Sequence, residues 1–226
     1  MAFFRGPNVV TDGLILALDA ANPKSYSGTG TTWYDLSGKE AHGNITGSIS
    51  FVNAGPQSYF NFDTASDSNY ISSSISQNYL DVTIAFQPDF TRSAGSTLAG
   101  LISDGPNSAS QDNSLRFEGV NGTGPWNVTT RNPGDTNDWA NPSATTYYRN
   151  GVVSNILVSG WNVFGGYRTN QGVNFPVNFA YHLGASGWPG RGFQGKISCV
   201  YMYNRQLTTS EQLQNYNALK SRFNLN

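Results

Sequence analysis

Charge is scarce in this sequence. Only 12% of its 226 residues are Asp, Glu, Lys or Arg, about half of the ~25% usual in a soluble domain. The net charge is −1. With no basic field to draw in phosphate, nucleic acid is excluded as a partner. Long apolar runs are missing too. The longest is Leu14 to Leu18, far short of the ~20 residues a spanning helix needs. Mean hydropathy is −0.40, so membrane insertion is not expected. Cysteine occurs once, as Cys199, and no intrachain disulfide can form. Its apolar setting, Ile197-Ser198-Cys199-Val200-Tyr201, predicts a buried, inert thiol rather than a nucleophile. Histidine is limited to His42 and His182, too few with one cysteine for a zinc site. Each is read as structural rather than as a base.

Neutral polarity replaces the missing charge. Gly, Ser and Asn number 25 each and Thr 18, beside 13% aromatics. That combination reads as many short strands joined by Gly- and Asn-containing turns. A length of 226 residues suits one all-β sandwich, since such domains commonly run to about 200–250 residues. Strands are expected over Gly13–Ala20, Ile45–Val52, Ser58–Phe62, Tyr70–Ile75 and Val82–Phe90, several of them alternating apolar and polar at period two. Others are expected over Leu98–Ser103, Ser114–Val120, Trp126–Thr130, Thr145–Arg149, Val152–Val158, Asn162–Tyr167, Val177–Leu183 and Gly195–Tyr203. Asn150-Gly151 is a type I′ hairpin signal, because both positions want positive φ. One segment departs from this pattern. Thr208 followed by Glu211 is a capping box, and Leu213, Tyr216, Leu219 and Phe223 recur at helical spacing, so a helix is expected over Thr208–Phe223.

Three segments together resemble a known family. They are Gly13–Ala20 with Thr32-Trp33-Tyr34-Asp35-Leu36-Ser37-Gly38; Tyr59-Phe60-Asn61-Phe62-Asp63; and Phe193–Ile197 with Tyr203-Asn204-Arg205-Gln206-Leu207 and Glu211. This order resembles laminin-G-like domains of the concanavalin A-like lectin/glucanase superfamily, and within it the stand-alone domains of tailed-bacteriophage virions. The resemblance implies an antiparallel jelly-roll β-sandwich with a short C-terminal helix. Residues 13–226 would form that single domain and residues 1–12 an N-terminal arm. It also implies a non-enzymatic virion surface protein, a capsid decoration or a tail or fibre component, with major capsid or tail protein as partner. A free carbohydrate-binding lectin module is the alternative, and a glycoside hydrolase the less favoured one.

The residues bear on these readings unequally. Glycoside hydrolysis needs two carboxylates flanking the scissile bond. The superfamily's glucanases carry Glu-x-Asp-x-x-Glu on one strand, and this sequence has no such motif. Its glutamates are Glu40, Glu118 and Glu211, in a turn, alone in a strand, and in the helix cap. Saccharide binding needs amides and carboxylates for hydroxyls and a flat aromatic face for the ring. Trp126, Trp139 with Asp138 and Asn141, and Trp188 with Arg191 supply both from turn-rich segments. The same rings would serve equally to cover sandwich edges or to pack on neighbouring subunits, which permits a homo-oligomer. No cofactor is required. Calcium is the one ion that the loop oxygens suit, through Asp104, Asp135 and Asp138, although such loops also form Asx-turns that bind nothing. Phe3 and Phe4, ahead of the domain, suit a particle anchor or fold back on it. The first residues lack a signal-peptide pattern, so synthesis in a host cytoplasm and display on a virion surface are expected, with host-surface glycan as a candidate ligand.

Overall fold

The computed structural model describes residues 8–64, 66, 68–77, 79–91, 98–103, 114–119, 126–131, 147–169, 175–179 and 192–226. Among these, fifteen strands form two antiparallel sheets. The larger runs β12 (Val152–Val153), β11 (Tyr148–Arg149), β13 (Asn162–Thr169), β7 (Tyr79–Pro88), β15 (Gly195–Tyr203), β5 (Tyr59–Phe62) and β4 (Ser50–Val52). Beyond β5, the same edge of β15 is taken by β1 (Leu14–Asp19). The smaller sheet runs β10 (Trp126–Arg131), β9 (Ser114–Gly119), β8 (Leu98–Ser103), β14 (Phe175–Phe179), β6 (Tyr70–Gln77), β3 (Gly43–Thr46) and β2 (Thr32–Trp33).

Alternation explains how the sheets meet. Phe60 and Phe62 of β5, Ile84 and Phe86 of β7, and Val200 and Met202 of β15 share one buried cluster with Trp33, Ile71, Ile102 and Val128 of the smaller sheet. The chain is thus an all-β antiparallel sandwich with one short C-terminal helix, α1 (Thr209–Leu219). The expected strand over Ile45–Val52 is two strands, β3 and β4, because Gly47 turns the chain between them at φ +88°. Pairing beyond Val153 also differs from the expected Val152–Val158. There the chain leaves β12 and straps the sandwich edge. Asn155 O accepts from Val128 N at 2.7 Å, and Leu157 is buried in the core. Asn150 and Gly151 have φ of +50° and +78°, as the hairpin signal requires.

The first and third of the motif segments prove to be clamps of the fold. Asp35 accepts from the backbone N–H of Ala17, Ser37, Lys39 and Ala41 and from the Ser37 hydroxyl. Burial raises its pKa, but these bonds outweigh it and hold the carboxyl below the usual range. His42 is structural, its Nδ1 accepting from Asp35 N at 3.1 Å. At the far end Arg205 binds Glu211 and Asp12, while Thr208 and Glu211 complete the capping box.

α1 lies on the outer face of the larger sheet. A second cluster, with Ala17, Ala85, Val163, Cys199, Tyr201 and Tyr203 beneath Tyr216, Leu219 and Phe223, fills the space between. The helix is shorter than expected: Lys220–Phe223 tighten into a 3₁₀ turn. Its buried face is Gln212, Asn215, Tyr216 and Leu219, and Leu213 is 46% exposed. Polar residues face inward because Asp81 and Thr83 of β7 stand on that side. Gln212 donates to Asp81 at 2.8 Å, Leu207 N to Asp81 at 2.9 Å, and Asn215 to Thr83 at 2.9 Å. The Asn215 side-chain carbonyl takes Val10 N at 2.8 Å, so the described end of the N-terminal arm is sewn to the helix. Cys199 is fully buried and unpaired, and burial pushes its thiol up to about 12, an inert state.

Candidate functional site

Beyond the helix the described residues leave a groove on the outer face of the same sheet. β5, β15 and β7 lie side by side there, and their register sets Asn61 opposite Lys196 and Lys196 opposite Gln87. Their neighbours Phe60, Phe62, Ile197 and Phe86 point into the core, so alternation sends the three polar side chains out as one row. Asp63 follows β5 on the same side by the same alternation. Asp89 and Thr91 follow β7. With half-buried Phe90 they line a groove of about 400 Å³.

Backbone constraints hold these strand ends together. Gly195 begins β15 at φ +139°, and a Cβ there would lie 2.3 Å from the Gln87 carbonyl oxygen, so only glycine permits the close approach. Asp89 N donates to Gln194 O at 3.0 Å. Farther along β15 the register slips between Ile197 and Cys199, a bulge at Ser198. The Ser198 hydroxyl donates to Ser58 O at 2.6 Å and accepts from Arg222, which is paired with Asp19 at 2.8 Å. This half-buried ion pair divides the helix-covered end of the face from the open end.

The groove's polar groups are already oriented. The Lys196 ammonium donates to Gln87 Oε1 at 3.3 Å and stands 5.0 Å over the Tyr59 ring. Gln87 Nε2 in turn donates to Ser159 O at 3.3 Å. Asp89 Oδ1 accepts from the N–H and hydroxyl of Thr91 at 2.8 and 2.7 Å, and Oδ2 from Gln194 at 3.1 Å. Asn61 donates to Asp63. Amides fixed this way offer both donors and acceptors, and the half-buried aromatics add an apolar surface. Hydroxyl-rich ligands need that set.

None of the sequence-predicted site residues has a described side chain. Trp139, Trp188, Asp138, Asn141, Arg191, Asp104, Asp135, Phe3 and Phe4 lie outside the described residues, as does His182. Trp126 opens β10, and only its backbone is described. No group of three His, Cys, Asp or Glu suited to a metal occurs among the described residues. The groove residues escaped sequence reasoning, although the alternation in Tyr59-Phe60-Asn61-Phe62-Asp63 already marks Asn61 and Asp63 as outward. The pairing order β5–β15–β7, which joins them to Lys196 and Gln87, has no local signal.

Neither a family model nor a curated protein sequence matches this chain. Solved structures do match in fold. A Trypanosoma rangeli sialidase bound to the inhibitor DANA superposes with a TM-score of 0.54 at 10% identity, over 95% of this chain and 34% of the sialidase. The binding domain of Paraclostridial Mosquitocidal Protein 1 does so with a TM-score of 0.52 at 13% identity, over 92% of this chain and 52% of that one. The chain therefore spans about a third of the sialidase and half of the toxin domain. At these identities the likeness shows the β-sandwich and no more.

Proposed function

We propose that this sandwich is a non-enzymatic carbohydrate-binding module displayed on a bacteriophage virion, and that its sugar site is the open groove over Asn61, Lys196 and Gln87. The observation that carries the sugar reading is the groove itself: three amides, two carboxylates and one ammonium beside Phe90 in about 400 Å³, room for one or two sugar rings. The fold, shared in outline with part of a sialidase and with a toxin's binding domain, agrees with it. Virion display, with capsid or tail protein as partner, rests on the resemblance of the opening and closing segments to stand-alone phage domains. The non-enzymatic reading rests on the glutamates. Glu211 is committed to Arg205 and the helix cap, and Glu40 sits in a turn at φ +56°.

A glycan array on the whole chain tests the site, with Gln87→Ala and Lys196→Ala alongside Trp126→Ala, Trp139→Ala and Trp188→Ala. Binding lost in the first two variants supports the groove. Binding lost only in a tryptophan variant moves the site to those segments. No binding to any glycan leaves a structural decoration. Imaging empty capsids or tails incubated with the protein tests display, and ordered density at fixed positions is the expected result.

A further inference from the structure

The charges around the groove point to a ligand class. Among the described residues that line it the ionisable side chains are Asp63, Asp89 and Lys196, two acids against one base. Among the described residues that line the groove Lys196 is the one cation that could meet a carboxylate, and its ammonium is directed to the neutral Gln87 oxygen and the Tyr59 ring. Asp63 stands exposed at the groove, and Asp89 is fixed at its wall by Thr91 and Gln194. An anionic sugar that reached Lys196 would lie close to both carboxylates in a partly desolvated cleft, where like charges repel more strongly than in water. A neutral sugar meets no such opposition. Its hydroxyls donate to the Asp oxygens and exchange bonds with the amides of Asn61, Gln87 and Gln194.

We infer that the groove takes uncharged saccharides and discriminates against those bearing a carboxylate. This deepens the carbohydrate reading above and rests on it. Recognition by neutral hydroxyls also makes affinity nearly independent of ionic strength, since little charge is neutralised on binding.

Calorimetric titration with matched pairs decides the matter. The pairs are lactose against 3′-sialyllactose and galactotriose against trigalacturonate, extended to the neutral and acidic forms of whichever glycan the array retains. We expect the neutral member to bind at least about tenfold tighter and to lose less than about twofold between low and high salt. Asp63→Asn, at an exposed position that leaves the fold intact, should narrow the gap by about threefold or more. Acidic members binding as tightly as neutral ones would overturn the inference and leave the sugar site standing. An unchanged gap in Asp63→Asn, with thermal melting unaltered, would overturn it as well, because the discrimination would then arise elsewhere. Failure of every glycan, neutral and acidic, would instead remove the carbohydrate reading itself.

Discussion

The outer face of the larger sheet has two ends built from the same strands, β7 and β15, and they solve the same problem in opposite ways. Each carries polar side chains on a face that strand alternation turns away from the core. At one end Asp81 and Thr83 are roofed by α1 and bonded to Gln212 and Asn215, and all four are buried. At the other end no helix among the described residues lies above Gln87, Lys196 and Asn61, which bond to one another and to nearby residues. The contrast teaches that polarity alone does not mark a site on this sheet. The roofed groups have protein partners for their bonds and serve the fold. The unroofed ones keep hydrogen-bonding capacity turned to solvent, where a ligand can use it.

The largest effects should come from the glycines that set each end. Gly195→Ala drives a Cβ into the Gln87 backbone at a positive φ, with no flexible atom able to yield. We expect a loss of about 3 kcal/mol or more in stability and of ligand binding with it. Gly165→Ala, under the helix, meets the Gln212 amide at 2.1 Å. That side chain can swing away, at the cost of its bond to Asp81, so about 1 kcal/mol is expected with the groove unaffected. Denaturant titration of both variants checks the pair. Equal losses would mean that the two ends are not independently built.

Acidity separates the ends next. Burial pushes the Asp81 carboxyl up to about 7, against the bonds from Leu207, Gln212 and Val82 and the Arg205 charge, all of which lower it. The folded chain thus keeps a proton that the unfolded chain releases near 3.8. Stability from this group therefore falls as pH rises from about 4 to about 7. Glu211 acts in the other direction. The Arg205 bond, then the Thr208 N–H, holds it down to about 2, so its contribution is present above about 4.5 and fades as pH falls. Melting temperature should peak between these limbs, near pH 4–5. Asp81→Asn should cost about 1–2 kcal/mol at the peak, because the amide nitrogen cannot accept and one of the three donors loses its acceptor, and should flatten the upper limb. An upper limb that keeps its slope in that variant would place the titration elsewhere.

Much of this fold was legible because its signals are local. β8 and β15 lie where their apolar runs put them, the Asn150-Gly151 hairpin and the Thr208 cap need only adjacent residues, and Cys199 is buried where its neighbours predicted. The candidate site was not legible, since its row is assembled from three strands far apart in the chain: Lys196 and Gln87, which bond within it, are 109 residues apart. Aromatic loop residues drew attention by composition, whereas Asn61 and Gln87 look like ordinary outward-facing strand positions until β15 is placed between them.

The helix shows the same limit at a smaller scale, and it yields the smallest predicted effect. Spacing put Leu213 on the buried stripe with Tyr216 and Leu219, yet Leu213 is 46% exposed while Asn215 is fully buried. The helix is rotated so that amides meet Asp81, Thr83 and Val10, since leaving those groups unpaired under a roof would cost about 1–3 kcal/mol each. Hydrogen bonding, not apolar periodicity, sets the rotation. Leu213→Gln should therefore change stability by less than about 0.5 kcal/mol. Asn215→Leu, apolar and near in size, should cost about 2–3 kcal/mol by stranding Val10 N and the Thr83 hydroxyl. If thermal unfolding ranks the two variants in the reverse order, the helix docks by its leucines and the roofed end is an ordinary apolar interface.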